Sequence, residues 1–293
     1  MKTEITEILE AALGESIVVD DVRPLSGGDI SDAMVVETHR GRLFVKCHHS
    51  GPADLFEREA EALQQMRATD TELVIPEPLA ATRPTDGRPA ALVLTYIESG
   101  PRADDFDERL GRGLAALHGA TADAYGFDDD NYCGTTPQPN DWTDDWVQFY
   151  DRRRLRHQLQ ICDDRRGFSP SDRRTFERLL DGLDDVIGDA DHPPALIHGD
   201  LWSGNLQTTA DGHPAIIDPA AYFGHPEAEI GMMDLFGGFS ETVYEAYEEV
   251  RPLPDGWRHR ISLYSLYHVM NHYYLFGGHY GRRAVEIANS WVP

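Results

Sequence analysis

Three side chains in the second half of the sequence are spaced to suit phosphoryl transfer. Asp200 and Asn205 lie five residues apart across a glycine-containing loop, H-G-D-L-W-S-G-N from His198 to Asn205. Asp218 closes an apolar run, Ala215-Ile216-Ile217, which follows a turn at Asp211-Gly212 and reads as the second strand of a hairpin. In such a layout Asp200 receives a hydroxyl proton as catalytic base, and Asn205 and Asp218 hold the Mg2+ that bridges nucleotide phosphates. A metal-dependent hydrolase is the competing chemistry, because His198, His213, His225, Asp200 and Asp218 can be drawn as one ligand cluster. Against it, no two of these three histidines have the tight helical spacing of a metal site.

Phosphate chemistry also needs a cation, and the first half of the chain offers one. Only Lys2 and Lys46 are lysines, so the other twenty-four of the twenty-six basic residues are arginines. Lys46 sits beside Phe44 and Val45 in a strand-like run, where a compact ammonium serves a phosphate as a point charge that a planar guanidinium does not replace freely. On a helical period across 53–68, Leu55, Phe56, Leu63 and Met66 share one face with Glu59 in its middle, while Glu57 and Glu61 point away. A carboxylate in an apolar stripe needs a cation, and Lys46 is the candidate. In the small-residue loop Leu25 to Asp32, Gly27 and Gly28 are placed to close over phosphates. That loop is neither a Walker A loop nor a G-x-G-x-x-G, and an ordinary hairpin loop fits it equally. The run A-A-L-V-L-T-Y-I, 90–97, is a continuously apolar strand, and the main chain of Thr95 and Ile97 at its end is positioned to hold adenine.

Composition narrows the partners. Fifty-one acidic against twenty-six basic residues give a net charge of −25, which argues against nucleic acid or an anionic membrane surface. An acid-rich, lysine-poor surface is expected of a halophilic protein, since high salt screens so large a like-charge excess. No apolar run approaches the ~20 residues of a bilayer-spanning helix, and the charged stretch 1–10 lacks a signal-peptide core, so a cytoplasmic protein is expected. Cys47, Cys133 and Cys162 are odd in number and widely spaced, which points to free thiols.

The elements that must position these groups change character along the chain. A helix over 3–14 is followed by strand-like runs at 17–22, 33–38, 43–47 and 90–97. After the break at Glu98-Ser99-Gly100-Pro101 the pattern turns helical, around Leu110 to Leu117, over 142–156, 175–186 and a single tail from 257 to 287. A loop fills 127–140, and short strands surround Ile197, Leu206 and Ile216. This predicts an α+β, protein-kinase-like two-lobe fold, with a nucleotide-binding lobe over 1–97 and a larger lobe over 98–293 carrying the catalytic loop, metal site and substrate site. The spacing D-L-x-x-x-N equals that of the protein-kinase catalytic loop, and Asp218 stands where the D-F-G aspartate would, with Pro219 in place of the Phe.

Over nearly its whole length the chain resembles the fructosamine kinase family, within the aminoglycoside and choline kinase-like group. The resemblance rests on L-S-G-G-D-I-S-D-A (25–33), F-E-R-E-A-E-A-L (56–63), H-G-D-L-W-S-G-N (198–205), D-P-A-A-Y-F-G-H-P-E (218–227), L-F-G-G-F (235–239) and Y-H-V-M-N-H (267–272). It implies ATP-dependent phosphorylation of the O3 hydroxyl of a ketosamine, free or on a glycated protein. A phosphate at C3 sits beside the C2 ketone, so enolisation can expel it and free the amine. Trp202 could wall the sugar, since an aromatic face packs on its C–H side, with core packing as the alternative. Glu227, Asn271 and His272 are candidates for substrate hydroxyls or the amine, although helix packing or capping is the simpler reading of each. An aminoglycoside, choline or amino-alcohol kinase, or a silent kinase-like binding protein, would carry the same core motif. The chain departs from the family at Asp29, where a cysteine is common, and at Glu229-Ile230-Gly231-Met232, where D-L-A-M is usual.

Overall fold

The computed structural model describes residues 2–25, 31–188 and 192–292. Helix α1 (Lys2–Leu13) precedes β1 (Val19–Leu25), β2 (Asp32–Thr38) and β3 (Gly41–His48), and then come α2 (Leu55–Arg67), β4 (Pro78–Thr82) and β5 (Ala90–Thr95). These strands form one antiparallel sheet in the order β1-β2-β3-β5-β4. Two-residue alternation divides its side chains between two cores. Val45 and Cys47 of β3, with Val36, Ala91 and Val93, pack on Ile5, Ile8 and Leu9 of α1. On the other face Leu92 and Leu94 meet Phe56, Leu63 and Met66 of α2, and Lys46 necessarily points the same way.

This second core continues without a break into the helical remainder. There the order is α3 (Phe106–Leu117), β6 (Asn131–Cys133), β7 (Thr136–Gln138), α4 (Trp146–Phe149), a π-helical turn (Tyr150–Arg156), α5 (His157–Arg165), α6 (Pro170–Asp181) and α7 (Leu183–Ile187). Then follow β8 (Ala195–Ile197), β9 (Leu206–Thr208), β10 (Pro214–Ile216), β11 (Tyr222–Gly224), α8 (Pro226–Leu235), α9 (Glu241–Val250), α10 (Trp257–Phe276) and α11 (Tyr280–Trp291). Close helix packing explains one glycine directly: a Cβ on Gly111 of α3 would lie 2.2 Å from the Val243 carbonyl of α9. Among the described residues no helix is long and apolar enough to cross a membrane.

Several expectations change in detail. The helical tail expected over 257–287 is present as two helices, divided where Gly277 and Gly278 take left-handed φ of 72° and 65° between α10 and α11. The segment expected as a loop over 127–140 contains the β6–β7 hairpin. Helix α8 received no sequence prediction, since it is buried nearly all round and lacks an amphipathic stripe. The strand expected around Ile197 is β8, which pairs with β11 in a sheet separate from the β9–β10 hairpin. The break at Glu98-Ser99-Gly100-Pro101 is tied to that hairpin: Gly100 N–H donates to Thr208 O at 3.2 Å, and a Cβ there would meet Ala210 O at 2.7 Å. The crossing from sheet to helices is thus clamped to the hairpin that leads into Asp218.

Candidate active site

Strand β8 delivers the chain into the loop from His198 to Asn205, and a buried carboxylate beneath it sets the loop's shape. Glu229 of α8 accepts the His198 N–H at 2.5 Å and the Gly199 N–H at 3.2 Å. Gly199 adopts φ +78°, and a Cβ on it would lie 2.2 Å from Ala220 O, so no other residue fits. Asp200 N–H donates to His198 Nδ1 at 3.3 Å, which leaves the ring proton on Nε2, 2.8 Å from Ile217 O. Both ring nitrogens are therefore engaged, and burial lowers the imidazole's proton affinity, so His198 shapes the loop as a neutral ring.

The predicted triad comes together. Asn205 Nδ2 donates to Asp200 O at 2.8 Å and approaches its Oδ2 at 3.4 Å, which turns Asn205 Oδ1 away as a free acceptor among the described residues. Asn205 O accepts Ile217 N–H at 3.0 Å, bringing the end of the hairpin beside the loop. Asp218 then turns with φ +60°, alone among the described non-glycine residues in the left-handed region, and its carboxylate enters the cleft.

Lys46 Nζ lies 2.7 Å from Glu59 Oε1 and 2.7 Å from Asp218 Oδ1. The expected partner is present, and a second one is added. Burial pushes the Lys46 ammonium down, but Asp218 and Glu59 more than reverse this and leave its pKa raised. One ammonium does not neutralise the carboxylates around it. Burial, then Asp218 and Glu229, hold the Asp200 pKa well above the usual carboxylate range. A surplus of negative charge beside the oxygens of Asn205 and Asp218 is the environment a hard divalent cation fits, and an amide and a carboxylate oxygen are donors suited to Mg2+.

Lys46, Glu59, Asp200, Asn205 and Asp218 line one cavity of about 850 Å³. Trp202 forms part of its wall, 39% exposed, with its indole so close over Gly204 that a Cβ there would sit 2.2 Å from the ring. Asn271 and His272 also line it. Asn271 is buried and bonded to Thr136 and Cys133, whereas half-buried His272 sits among Phe236, Phe276 and Tyr280 at ring separations of 5.0, 5.6 and 5.1 Å. Apart from His272, that aromatic rim was not predicted, although Phe236 stands inside the motif L-F-G-G-F.

Three predicted positions fall elsewhere. Glu227 does not reach the cavity; it is buried and paired through both oxygens with Arg260 at 2.6 and 2.7 Å, so the substrate role is corrected to a structural one. Thr95 is likewise outside the cavity lining, with its N–H bonded to Glu77 O at 3.0 Å and its Oγ1 accepting Glu77 N–H at 2.8 Å, so its amide is not open to adenine. Ile97 does not line the cavity either, but its N–H has no partner among the described residues. Gly27 and Gly28, with Asp29, lie outside the described residues.

Comparison with known proteins finds relatives along nearly the whole chain. The chain is 36% identical over 97% of its length, and 94% of the relative's, to a protein of Synechocystis named a probable ketoamine kinase. It is 38% identical over 95% of its length, and 81% of the relative's, to the chloroplastic protein-ribulosamine 3-kinase of rice (Oryza sativa subsp. indica). A solved structure from Thermobifida fusca, described provisionally as a fructosamine-3-kinase, superposes with a TM-score of 0.87 at 33% identity, covering 99% of this chain and 98% of the other. An aminoglycoside phosphotransferase solved with ADP and hygromycin B shares the protein-kinase-like fold at a TM-score of 0.65 and 17% identity, covering 99% of each chain. The fructosamine kinase family model spans residues 1–292, and the chain belongs to the fructosamine kinase family.

Proposed function

We propose that this protein is an ATP-dependent kinase of the cytoplasm that phosphorylates the O3 hydroxyl of a ketosamine, and so takes part in deglycation. The observation that carries the proposal is one cavity in which the Lys46–Glu59 pair and Asp218 face Asp200, with the Trp202 indole, from the loop between Asp200 and Asn205, forming a wall. Residues 1–97 act as the nucleotide-binding lobe, where Gly27, Gly28 and the main chain at Ile97 contact ATP. Residues 98–293 hold the metal and the acceptor. Lys46, kept charged by two carboxylates, binds phosphate oxygens, and Glu59 fixes its direction. Asn205 Oδ1 and Asp218 hold Mg2+, which when bound neutralises phosphate charge in the transition state.

Asp200 accepts a hydrogen bond from the acceptor hydroxyl, aims the oxygen at the γ-phosphorus and takes the proton as the new P–O bond forms and the bridge to ADP breaks. The raised proton affinity of Asp200 suits that role, because a stronger base takes the proton more readily. Trp202 and the rim of Phe236, His272, Phe276 and Tyr280 offer ring faces to the sugar's C–H side and to the amine-bearing substituent. The charge of −25 and the scarcity of lysine support operation in concentrated salt. The test is ATP turnover against ribulosamine, erythrulosamine and fructosamine adducts beside choline and an aminoglycoside, each at low and molar KCl. Phosphate on O3 of the ketosamines supports the assignment; turnover of only choline or the aminoglycoside rejects it.

A further inference from the structure

A second set of donor atoms gathers at Asp200: His268 approaches its Oδ1, while Asn205 approaches its Oδ2. Cys133, at the end of β6, His268 of α10 and Asp200 each bring one donor atom within 4.8 Å of the others. His268 Nδ1 is 3.9 Å from Asp200 Oδ1 and has no hydrogen-bond partner, although the residue is only 4% exposed. A buried ring nitrogen without a partner is a standing free-energy loss, and an imidazole nitrogen, a thiol and a carboxylate gathered this closely form a ligand set. Asn271 Nδ2 donates to Cys133 Sγ at 3.2 Å and its Oδ1 is fixed by Thr136 Oγ1, so the sulfur already has an outer partner; burial and the Asp200 charge hold the thiol pKa well above its usual value, and a bound cation must displace that proton.

We propose that Cys133 Sγ, His268 Nδ1 and an Asp200 carboxylate oxygen bind a thiophilic divalent cation of the zinc class, and that the bound ion silences the enzyme by occupying Asp200. Tetrahedral zinc holds such donors about 3.3–3.7 Å apart, so the site closes by roughly one ångström through side-chain torsions, leaving a fourth position open toward the cavity. Sulfur and imidazole donors select this class over Mg2+, whose ligands here are the oxygens of Asn205 and Asp218. On binding, the Cys133 thiol gives its proton to solvent and each ligand supplies a lone pair; nothing is oxidised or reduced. Burial, aided by nearby His272 and Arg154, lowers the His268 pKa to about 3, so the ring is neutral and ready as a ligand at any working pH.

The binding claim stands on geometry alone, while inhibition rests on Asp200 being the base. Co2+ titrated into metal-free full-length protein should bind one equivalent with a thiolate-to-cobalt charge-transfer band, displaced by Zn2+. Cys133→Ser should abolish the band, and His268→Gln should weaken binding by about 100-fold, each variant being checked by its melting curve. No band, or a band unchanged in both variants, overturns the site. In a zinc-buffered MgATP assay, wild-type turnover should fall at least ten-fold and return with chelator. A band with turnover retained overturns the inhibition and, separately, the role of Asp200. Loss of turnover in Cys133→Ser with the same zinc dependence as wild type also overturns the proposed mode of inhibition.

Discussion

Replacing Lys46 by Met removes the one ammonium between two carboxylates while keeping an unbranched side chain of similar length in β3. The side chains of Lys46 and Glu59 are 10% and 12% exposed, and that of Asp218 is 40% exposed. Removing one partner of a buried ion pair costs about 3–5 kcal/mol, and discounting the solvated Asp218 contact leaves an expected loss of about 2–4 kcal/mol. For a chain of this size that lowers Tm by roughly 3–7 °C. Because the folded-state pKa of Lys46 is raised, its stabilisation is complete below the unfolded lysine pKa and disappears only as pH rises through the folded value. The deficit of the variant should therefore be flat through neutral pH. It should shrink in acid, where Glu59, whose pKa burial raises, takes a proton and ceases to be an unpaired charge. Adding Glu59→Gln should recover at least about 1 kcal/mol of what Lys46→Met loses, since the stranded carboxylate is then gone. Urea unfolding of metal-free protein at several pH values, followed by tryptophan fluorescence, measures all three quantities, and the KM for ATP should rise in parallel. If Lys46→Met is as stable as wild type at neutral pH, or the double variant is no better than the single one, the ion pair does not hold the cleft.

Asp200→Asn should lower turnover by about 10²–10⁴-fold with little change in ATP affinity. The same variant should raise the Tm of the metal-free protein at neutral pH, because a carboxylate whose folded pKa is raised destabilises the fold as pH climbs from its unfolded to its folded value; near-wild-type turnover removes it as the base. Gly204→Ala should push the Trp202 ring off the cavity wall, raising the KM for the acceptor several-fold while the KM for ATP holds, and an unchanged acceptor KM means the ring does not contact the sugar. Molar KCl should raise Tm by screening the net charge of −25, and a protein that melts earlier in molar KCl than in dilute buffer contradicts the high-salt assignment.

What the sequence discloses and what it hides follow from how each contact is made. Glu59 stands out because helical period places a charge inside an apolar stripe, and its demand for a cation can be met by the lone internal lysine; that inference needs only local patterns on β3 and α2. The β9–β10 hairpin announces itself through Asp211-Gly212, so Asp218 can be placed beside Asn205 before any coordinates are seen. The bond from Lys46 to Asp218 spans 172 residues and depends on how the hairpin docks against the sheet, which no local period encodes. Glu229 is more deeply hidden. Its helix is apolar and buried around its circumference, so the acid looks like a misplaced family residue until its oxygens are found holding two amides of the catalytic loop. Glu227 misleads for the matching reason: it is an acid near a motif, but its helix turns it toward Arg260 and away from the cavity. The cavity wall we assign to the acceptor is assembled by α10 and the ends of α8 and α11, whose aromatic residues are plain in the sequence while their relative angles are set only by packing. Specificity should therefore change most through residues such as Phe236, Phe276 and Tyr280, which can vary without touching the Lys46, Asp200, Asn205 and Asp218 geometry to which we assign phosphoryl transfer.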